Sequence, residues 1–351
     1  MSPRTALITG SSGLIGSEMV TLLDQKGWTV HGVDNNMRRD FFGPPGDTTP
    51  TLERLLRETR RYEHHHIDVR DRAGIKSLVK RVRPALVVHC AAQPSHDLAA
   101  QRPFDDFEIN ALGTLNVLEA ARVSCPDSPL VFLSTNKVYG DAPNELPLME
   151  LETRHDYADP LDYEGIDETC RVDASMHSLF GASKLAADLL VQEYGRYFGM
   201  PTACFRGGCL TGVSHAGAEL HGFLSYLAKV AREGGTYRIF GYKGKQVRDN
   251  IHAADVCSAI VAFAERPRAG VVYNLGGGRP NSVSILEAIA RFEKLFGNPL
   301  RTEYVEEPRM GDHICYITDL RRFRSDYPEW ELTVSLDQIF AELVVGDAPR
   351  R

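Results

Sequence analysis

The first half of the chain alternates between apolar runs and segments with helical periodicity. The apolar runs predict strands over 5–9, 28–33, 64–69, 85–90 and 130–134, and one intervening pattern predicts a helix over 107–122. Strands that alternate with helices are typical of parallel sheets covered on both faces. The pattern therefore predicts an α/β fold built on a doubly wound parallel sheet.

The pattern changes in the second half, where helices are joined by short strands. It predicts helices over 181–197, 220–233, 254–265 and 284–296, with strands over 202–206, 237–240 and 271–275. Two polar, proline-containing segments, 36–60 and 141–176, are predicted as mainly irregular, apart from a short helix over 51–60. We expect a dinucleotide-binding domain over 1–207 plus about 241–275, and a smaller, interleaved α/β substrate domain over 208–240 and 276–345.

Three glycines follow the first predicted strand and open the next helix. Gly10, Gly13 and Gly16 have the spacing that lets the backbone approach a pyrophosphate and lets the helix pack against the strand. The residues between them, Ser12, Leu14 and Ile15, belong to the same turn. This context predicts a dinucleotide site at the helix N-terminus.

A carboxylate ends the second predicted strand, eighteen residues after Gly16. Asp34 can accept hydrogen bonds from an adenosine ribose and repels a 2′-phosphate, so NAD is favoured over NADP. Asn35 follows it in the same turn. Arg38 and Arg39 lie close enough in sequence to keep NADP open as an alternative.

The composition limits the partners and the compartment. The net charge is −7 and no basic block is present, which argues against nucleic acid or an anionic membrane as the partner. The seven cysteines form no C-x-x-C pair, and no leader or membrane-spanning run is seen. We therefore expect a cytoplasmic protein with reduced thiols.

No metal is expected from the three consecutive histidines, His64, His65 and His66. Neighbouring residues of a strand point to opposite faces of the sheet, so these three side chains cannot meet at one ion.

Small and polar residues follow two other predicted strands, where ligands bind in open α/β sheets. Ala91, Ala92 and Gln93 follow the fourth strand, and a run from Ser134 to Gly140 follows the fifth. Asn110, on the predicted helix 107–122, either lines the cofactor crevice or braces the fold.

These elements resemble the extended short-chain dehydrogenase/reductase family of nucleotide-sugar epimerases and dehydratases over nearly the whole chain. The resemblance rests on separate motifs: Gly10-x-x-Gly13-x-x-Gly16, Asp68-Val69-Arg70-Asp71, His89-Cys90-Ala91-Ala92-Gln93, Ser134-Thr135-Asn136-Lys137-Val138-Tyr139-Gly140, Arg248-Asp249-x-x-His252-x-x-Asp255-Val256 and Tyr273-Asn274-Leu275-Gly276-Gly277. It implies a Rossmann-type fold, NAD as cofactor and an epimerase that oxidises a nucleotide-diphosphate sugar transiently to a keto-sugar. It also implies a homodimer through the helices at 107–122 and 181–197.

The resemblance assigns roles to individual residues. Thr135 would hydrogen-bond the reacting sugar hydroxyl, and Lys184 would hold the nicotinamide ribose while lowering the pKa of a neighbouring acid. The remaining cofactor contacts that it implies are Asp68 and Val69, which would flank the adenine, together with Ala91, Ala92, Gln93, Asn110, Ser134 and Arg206.

One position departs from the family pattern, because the family tyrosine falls on Phe180. Phenylalanine has no oxygen and cannot accept or return a proton. A relocated base, a deliberate alteration that traps substrate, and ligand binding without turnover all remain open. The candidates for a relocated base are Tyr139, which ranks first, and Lys137, His177, Cys209 and Lys184. The alternative for Tyr139 is a pocket wall that only stacks on the sugar or hydrogen-bonds it.

Isolated cations suit the diphosphate of a sugar nucleotide, because Arg offers a planar fork to two phosphate oxygens. Arg248 and Arg309 match family positions for this role, with Gln246 and Lys245 as further contacts to the nucleotide or sugar. Asn136 and Lys137 are expected beside the sugar. Family dehydratases carry an Asp-Glu pair at those two places, so dehydration is the less favoured alternative, together with net dehydrogenation.

Overall fold

The structure, a computed structural model, describes residues 4–212, 222–309 and 311–346. The chain divides into two units that each take three segments. The first unit comprises Met1–Val138, Leu179–Arg206 and Val256–Tyr273, and the second comprises Tyr139–Ser178, Gly207–Asp255 and Asn274–Arg351. The units interleave along the chain, but 139–178 and 241–255 belong to the second unit and not, as predicted, to the first.

The elements are as follows in chain order. The strands are β1 (Thr5–Thr9), β2 (Thr29–Val33), β3 (Tyr62–His65), β4 (Leu86–His89), β5 (Leu130–Thr135), β6 (Leu148–Glu150), β7 (His155–Tyr157), β8 (Thr202–Gly207), β9 (Cys209–Thr211), β10 (Thr236–Phe240), β11 (Val247–His252), β12 (Val271–Leu275), β13 (Ser282–Ser284), β14 (Arg301–Val305) and β15 (Cys315–Tyr316). The α-helices are α1 (Leu14–Gln25), α2 (Met37–Phe42), α3 (Thr49–Glu58), α4 (Arg72–Val82), α5 (His96–Gln101), α6 (Pro103–Phe107), α7 (Gly113–Ser124), α8 (Leu179–Phe198), α9 (Phe223–Glu233), α10 (Ala253–Glu265), α11 (Ile285–Phe296), α12 (Arg321–Asp326) and α13 (Leu336–Val345).

A seven-stranded sheet, counted over the described residues, organises the first unit. Its order is β12-β8-β5-β4-β1-β2-β3, and the ladders from β3 through β2, β1 and β4 to β5 are parallel. The predicted doubly wound α/β sheet is confirmed. The chain order changes direction beside β1, where crevices for ligands open at the carboxyl ends of parallel strands.

Apolar side chains on both faces of this sheet explain why its strands read as continuous hydrophobic runs. On one face, Leu7, Val87 and Phe132 are fully buried and pack with residues of α4, α7 and α8. The residues that alternate with them on the other face, Ile8, Val88 and Val131, are also fully buried. Strands covered on both faces lack the polar alternation of half-exposed strands. The core therefore holds the strand ends, and the loops that follow them, in fixed positions.

The second unit has its own core between three helices. Residues of α9, α11 and α13 pack together, and the rings of Phe292 and Phe340 lie 4.6 Å apart between centroids. Ser284 and Ser335 each begin a helix with a reciprocal capping box, which satisfies N–H groups of the first turn. Strand β11 pairs with β9, β13 and β15, and β10 pairs with β14.

One predicted strand is shorter than its apolar pattern suggests. The strand expected over 64–69 begins at Tyr62 and ends at His65. Local bonds replace the ladder beyond it, because the Ile67 N–H bonds to the His65 carbonyl and the Arg70 N–H to the Asp68 carboxylate. The motif residues Asp68 and Val69 therefore lie in a turn and not on the strand.

Three other segments also differ from the prediction. The segment 36–60 contains α2 as well as α3, and a π-helical turn at Glu108–Leu112 interrupts the helix expected over 107–122. The start of the helix predicted over 220–233 falls partly outside the described residues. The segment 141–176 is mostly irregular, as predicted, apart from the hairpin of β6 and β7. Among the described residues, no helix has the length and apolarity needed to span a membrane.

Candidate functional site

The glycine turn after β1 is shaped by close packing against α1. Gly10 has a φ of +66°, a left-handed conformation that favours glycine. A Cβ on Gly16 would overlap the carbonyl oxygen of Gly10, so only glycine lets α1 approach the turn this closely. A Cβ on Gly13 would meet only that oxygen, at 3.3 Å. The third glycine thus serves packing, and the second leaves open space at the helix start.

The start of α1 fits an anionic group. Gly13 occupies the N-cap position, and no side chain caps the helix. The N-terminal N–H groups of a helix attract phosphate because they carry partial positive charge. The hydroxyl of Ser12 is buried there and has no hydrogen-bond partner among the described residues. Leu14 and Ile15 form the first turn. A buried orphan hydroxyl beside an uncapped helix is what a bound pyrophosphate would satisfy.

Asp34 lies beside this turn at the end of β2. Its carboxylate accepts the N–H groups of Ser12 at 3.0 Å and Asn36 at 2.8 Å. A small cavity next to it is lined by Ser12, Asp34, Asn36, Thr48, Thr49, Leu52, His64 and His66. Thr48 closes the cavity by donating its N–H and hydroxyl to the Asn36 amide oxygen. The segment after Asn36 thus folds over the predicted ribose site.

Asp68 and Asn35, both predicted at the cofactor, lie in contact. The Asn35 amide donates to Asp68 at 3.0 Å, and the Arg70 guanidinium donates to both oxygens of the same carboxylate. Burial acts to raise the pKa of Asp68, but the hydrogen bonds from Arg70 outweigh it and lower the pKa. Val69 follows in the turn, and its carbonyl accepts the amide of Asn116. The Asp68 carboxylate is therefore charged and anchored.

The residues after β4 are held by a buried polar cluster. Ala91 and Ala92 are half-buried, and the N–H of Gln93 donates to Asn110 at 2.9 Å. The amide of Asn110 donates in turn to the Gln93 carbonyl, to Asp106 and to Ser183. Gln93 donates to Asp106 at 2.8 Å. Of the two roles left open for Asn110, the contacts favour bracing, and the brace reaches the residue before Lys184.

Thr135 ends β5 with its hydroxyl in contact with the two residues that follow it. The Lys137 N–H donates to that hydroxyl at 3.2 Å, and the Asn136 amide oxygen lies 3.4 Å away. Asn136 and Lys137 continue in a 3₁₀ turn after the strand, and neither carries a carboxyl group. Because such local contacts are weak, the hydroxyl can exchange them for a substrate oxygen.

Lys184 is buried on α8 and reaches the same strand. Its Nζ donates to the Leu133 carbonyl at 2.7 Å and lies 4.0 Å from the centroid of the Phe132 ring. Burial lowers the pKa of Lys184 from 10.5 to about 8, despite the opposing field of Asp188. An ammonium has three donor positions. A group with this pKa can release and regain a proton near neutral pH.

Phe180 lies one turn before Lys184, in the first turn of α8. Its ring is buried and lies 4.9 Å from the His96 ring between centroids, at an interplanar angle of 58°. Ser183 donates to the Phe180 carbonyl at 3.1 Å. The position expected to carry a phenol therefore carries a packed hydrocarbon ring.

Tyr139, ranked first among the substitutes for that phenol, has a structural role instead. It is fully buried, and its hydroxyl donates to the Asn274 amide oxygen at 2.7 Å. Asn274 also donates to the Ile166 carbonyl, so the phenol is one member of a buried chain of hydrogen bonds. Breaking this chain to accept a substrate proton would leave buried polar atoms unsatisfied. We therefore withdraw Tyr139 as the proton-transfer group.

The other candidates lie in varied surroundings. His177 is half-buried, and its Nδ1 lies 3.0 Å from the Ser175 carbonyl oxygen. Cys209 begins β9 and is half-buried, and Lys137 follows β5. The pKa of Lys184 is shifted toward neutrality.

Arg206 and Ser134 were assigned to the cofactor, but their side chains bind a carboxylate within the fold. Arg206 donates to Asp188 through Nε at 3.1 Å and through its terminal nitrogen at 2.8 Å, and Ser134 donates to Asp188 at 2.6 Å. Arg206 and Asp188 are both buried. Because removing one partner would leave a buried charge, this ion pair is structural, and the prediction for the Arg206 side chain is corrected.

Two buried groups near the site were missed by the sequence analysis. Asp188 lies one turn after Lys184 on α8, a spacing that could have indicated a shared face. His89 bonds through its two ring nitrogens to Thr9 at 2.6 Å and Thr114 at 3.0 Å. Burial lowers the pKa of His89 to about 3, so it is neutral and ties β4 to β1 and α7. No sequence pattern indicated these partners.

In the second unit, Arg248 is buried on β11. It forms an ion pair with Asp312, whose backbone N–H donates to the Arg309 carbonyl at 3.1 Å. Asp249, the next residue, accepts the N–H groups of Gly278 and Thr318. Burial opposes the charge of Arg248, yet Asp312 raises its pKa. Arg248 is thus a buried, permanent cation.

Gln246 and Lys245 precede Arg248 and differ in their surroundings. Gln246 is buried and donates to the Phe240 carbonyl at 3.1 Å, while its amide oxygen has no partner among the described residues. Lys245 donates to Glu150 and to the Leu151 carbonyl, each at 2.8 Å. The orphan oxygen makes Gln246 a better candidate ligand contact than Lys245, which is held by the β6–β7 hairpin.

The known proteins that resemble this chain include epimerases and dehydratases of nucleotide sugars. Residues 6–276 match the family described as the NAD dependent epimerase/dehydratase family. CDP-paratose 2-epimerase from Salmonella typhi is 31% identical over 336 residues, which cover 94% of this chain and 95% of that protein. A dTDP-glucose 4,6-dehydratase from Salmonella typhimurium is 31% identical over 281 residues, covering 77% of this chain and 71% of that protein.

The fold is also shared with solved structures. The UDP-glucose 4-epimerase of Thermus thermophilus, solved in complex with NAD, superimposes with a TM-score of 0.78 at 24% identity. The similarity covers 97% of this chain and 98% of that one. Each of these proteins matches both units of the present chain and not the sheet alone.

Proposed function

Because the chain belongs to the NAD dependent epimerase/dehydratase family, we propose that it epimerises a sugar carried on a nucleoside diphosphate. Its cofactor is NAD, which, when bound, takes a hydride from a ring carbon and returns it to the sugar. A relative that aligns over 94% of the chain is CDP-paratose 2-epimerase, which supports a reaction of that class.

The two residues that follow Thr135, Asn136 and Lys137, favour epimerisation over dehydration. Elimination of water needs an acid and a base beside the reacting carbons. Asn136 has a neutral amide and Lys137 a cation, so the turn after β5 carries no carboxyl group. Epimerisation needs only a hydride acceptor and one group that moves a hydroxyl proton.

We propose that Lys184 transfers the proton of the reacting sugar hydroxyl. Thr135 would bind the reacting hydroxyl, and Lys184 in its neutral form would accept the proton and return it after the sugar has presented its other face. A pKa of about 8 leaves a useful fraction of both protonation states at neutral pH. Phe180, one turn earlier on α8, supplies no competing oxygen.

Arg248 and Arg309 are the proposed diphosphate contacts. Arg248 is a buried cation whose Asp312 partner holds the guanidinium in one orientation. A planar guanidinium binds two phosphate oxygens at once. The orphan amide oxygen of Gln246, two residues earlier on the chain, would accept a hydroxyl or amino group of the nucleotide or sugar.

A product assay tests the function. The purified protein is incubated with CDP-paratose, UDP-glucose or dTDP-glucose, and products are separated and weighed by mass spectrometry. We expect one of them to yield an isomer of unchanged mass, with no net NADH. Loss of one water would identify a dehydratase, and accumulation of NADH a dehydrogenase. Thr135→Val should abolish turnover while leaving bound NAD in place, since it removes only a hydroxyl.

Phe180 favours a second candidate function, binding of NAD and a sugar nucleotide without turnover. A packed ring stands where the family carries its phenol, and Tyr139 does not replace it. Turnover by the unmodified chain with any nucleotide sugar would exclude this candidate.

A homodimer in the cytoplasm completes the proposal. Phe104 and Phe107 on α6, and Leu189 and Tyr197 on α8, are exposed apolar residues of the first unit. Exposed apolar surface of this kind is suited to association. All seven cysteines lie in described parts of the chain and none forms a disulfide, as suits a reducing compartment. Sedimentation velocity should give twice the mass of the chain, and Leu189→Glu should give the monomer.

A further inference from the structure

Two histidines and a glutamate converge on one face of the sheet at its β3 edge. His31 lies on β2, and Glu63 and His65 lie on β3, where the register places Glu63 opposite His31. The His31 Nδ1 and the His65 Nε2 are 3.0 Å apart. Oxygens of Glu63 lie 3.4 Å from the His31 nitrogen and 3.6 Å from the His65 nitrogen.

These separations are close to the distances between ligand atoms in a tetrahedral metal site. Zinc binds His nitrogen at about 2.0–2.1 Å and carboxylate oxygen at about 2.0–2.2 Å in tetrahedral geometry. The distance between two ligand atoms of such a tetrahedron is about 3.3–3.5 Å, from the same bond lengths. The two nitrogens are 3.0 Å apart, and each lies 3.4 or 3.6 Å from a different oxygen of Glu63. One ligand atom from each of the three side chains lies within 4.8 Å of the other two, so one ion could bind all three side chains after they adjust.

The chemistry of the three side chains also suits a transition metal. A histidine binds metal in its neutral form, and burial lowers the pKa of both His31 and His65, with the field of Glu63 opposing it. The two rings are stacked, with centroids 5.2 Å apart and an interplanar angle of 18°. Glu63 is exposed, which leaves a fourth coordination position for water.

This cluster is separate from the predicted ribose site. Side chains alternate between the two faces along a strand, so Tyr62 and His64 face away from Glu63 and His65. Tyr62 bonds to Ser11 in the glycine turn, and His64 lines the cavity beside Asp34. The opposite face carries the cluster, where Arg81 of α4 is the nearby cation that acts on both histidines.

We propose that His31, Glu63 and His65 bind a divalent transition metal such as Zn²⁺ and thereby fasten the edge strand β3 to β2. Of the histidine run 64–66, His65 alone belongs to this ligand set. The ligand set is completed across the strand ladder, which the sequence does not show. Arg81 disfavours a cation there, so the affinity depends on the carboxylate of Glu63.

Zinc titration of the purified protein with its bound NAD tests the proposal. Competition with a chromophoric chelator should show one site, and Zn²⁺ should raise the melting temperature because it binds only the folded ladder. Co²⁺ in place of Zn²⁺ should give the intense visible absorption of a tetrahedral site. A weak octahedral spectrum, or the absence of saturable binding, would overturn the proposal.

Variants locate the site. His31→Gln and His65→Gln keep hydrogen-bonding groups, and each should weaken Zn²⁺ binding by more than about tenfold. Loss of a residue that only hydrogen-bonds to a metal ligand already lowers the metal affinity by about tenfold or more, so loss of a ligand itself should have at least this effect. Glu63→Gln changes an exposed residue that should not affect folding, and it should weaken binding similarly. His66→Gln, outside the cluster, is the matched control and should bind as the parent does. Equal binding by all four variants would place the metal elsewhere and refute the assignment.

Discussion

Phe180 and Lys184 lie one turn apart on α8, and the chemistry proposed for the enzyme depends on this pair. The phenylalanine ring is packed against His96, while the lysine amine points at the Leu133 carbonyl of β5. A phenol at position 180 would share the proton-transfer role with the amine. Without it, Lys184 has a suitable pKa and lies close to the strand that carries Thr135.

Phe180→Tyr should increase turnover. The new hydroxyl would stand one turn from a cation that stabilises the phenolate, and positioned acid–base groups contribute about 10²–10⁴ in rate. We expect at least about a tenfold rise in kcat, below that range because Lys184 already moves the proton. Phe180→Leu is the control for packing. An equal rise in both variants would indicate altered packing, and no rise in either would show that a phenol is not what the site lacks.

The pH dependence of turnover tests Lys184 directly. Burial lowers its pKa from 10.5 to about 8, and only the neutral amine accepts a proton. The rate with bound substrate should therefore rise with pH through about 8 and fall about tenfold per unit below it. Steady-state kcat measured from pH 6 to 9.5 gives the profile.

Lys184→Arg supplies the control for that profile. Arginine keeps the positive charge but stays protonated, so turnover should be lost while NAD remains bound. A flat profile across the range, or an active Lys184→Arg variant, would exclude the amine as the base.

Site residues could be predicted from the sequence where their surroundings come from neighbouring residues, and not where their partners are distant in sequence. The glycine spacing, Asp34 at the end of β2, and Thr135 at the end of β5 could be predicted because strand ends and helix starts dictate their environment. Asp188 could not, since its three partners come from β5, β8 and α8. The bond from Tyr139 to Asn274 could not be predicted either, because Asn274 lies 135 residues away in sequence.

At the scale of elements, the start of α1 shows how one turn serves both packing and binding. Gly16 is buried against the Gly10 carbonyl, and Gly13 caps the helix at its open end. Both are glycines of one motif, yet the atoms around them differ. The sequence motif does not distinguish the two roles, whereas their substitutions should.

Gly16→Ala should destabilise the fold, and Gly13→Ala should impair mainly cofactor binding. The added methyl at position 16 overlaps backbone that cannot move aside, and overpacking of this kind costs about 1–3 kcal/mol or more. At position 13 the nearest atom is 3.3 Å away and φ is −79°, which any residue tolerates. Urea unfolding of the NAD-free proteins measures the first effect, and NAD titration measures the second. Similar unfolding free energies for both variants would contradict this division.

Element boundaries were harder to predict than the elements themselves. The strand expected over 64–69 ended at His65, because Asp68 and Arg70 form a turn through a side-chain bond that an apolar pattern does not reveal. The helix expected over 107–122 kept its direction but gained a π turn around Asn110. The order of strands and helices followed the sequence pattern because buried strands and amphipathic helices have different periods.

At the scale of the whole chain, the two units draw on segments that are distant in sequence. Segments of each unit alternate along the chain, so neither unit is one continuous stretch. The predicted boundaries misplaced 139–178 and 241–255, since polar loops carry no signal of which core they join. Because segments of each unit are joined through segments of the other, we expect the chain to respond to ligands as one molecule.

NAD should therefore remain with the protein through purification and stabilise it globally. Asp34 accepts two backbone N–H groups and keeps further lone pairs for the hydroxyl groups of a ribose. Arg39 forms an ion pair with Asp47, and the Arg38 guanidinium stacks on the Phe42 ring. Both arginines are therefore poorly placed to bind a 2′-phosphate. Denaturing fresh protein should release NAD, detected enzymatically, in a molar amount near that of the protein.

Adding NAD at about a hundred times its Kd to protein stripped of cofactor should raise the free energy of unfolding by about 2.7 kcal/mol. NADP at the same concentration should stabilise the protein far less. Asp34→Ala should reduce the difference between stabilisation by NAD and stabilisation by NADP. Stripped protein whose melting temperature does not respond to NAD would refute the dinucleotide site on which the proposed chemistry rests.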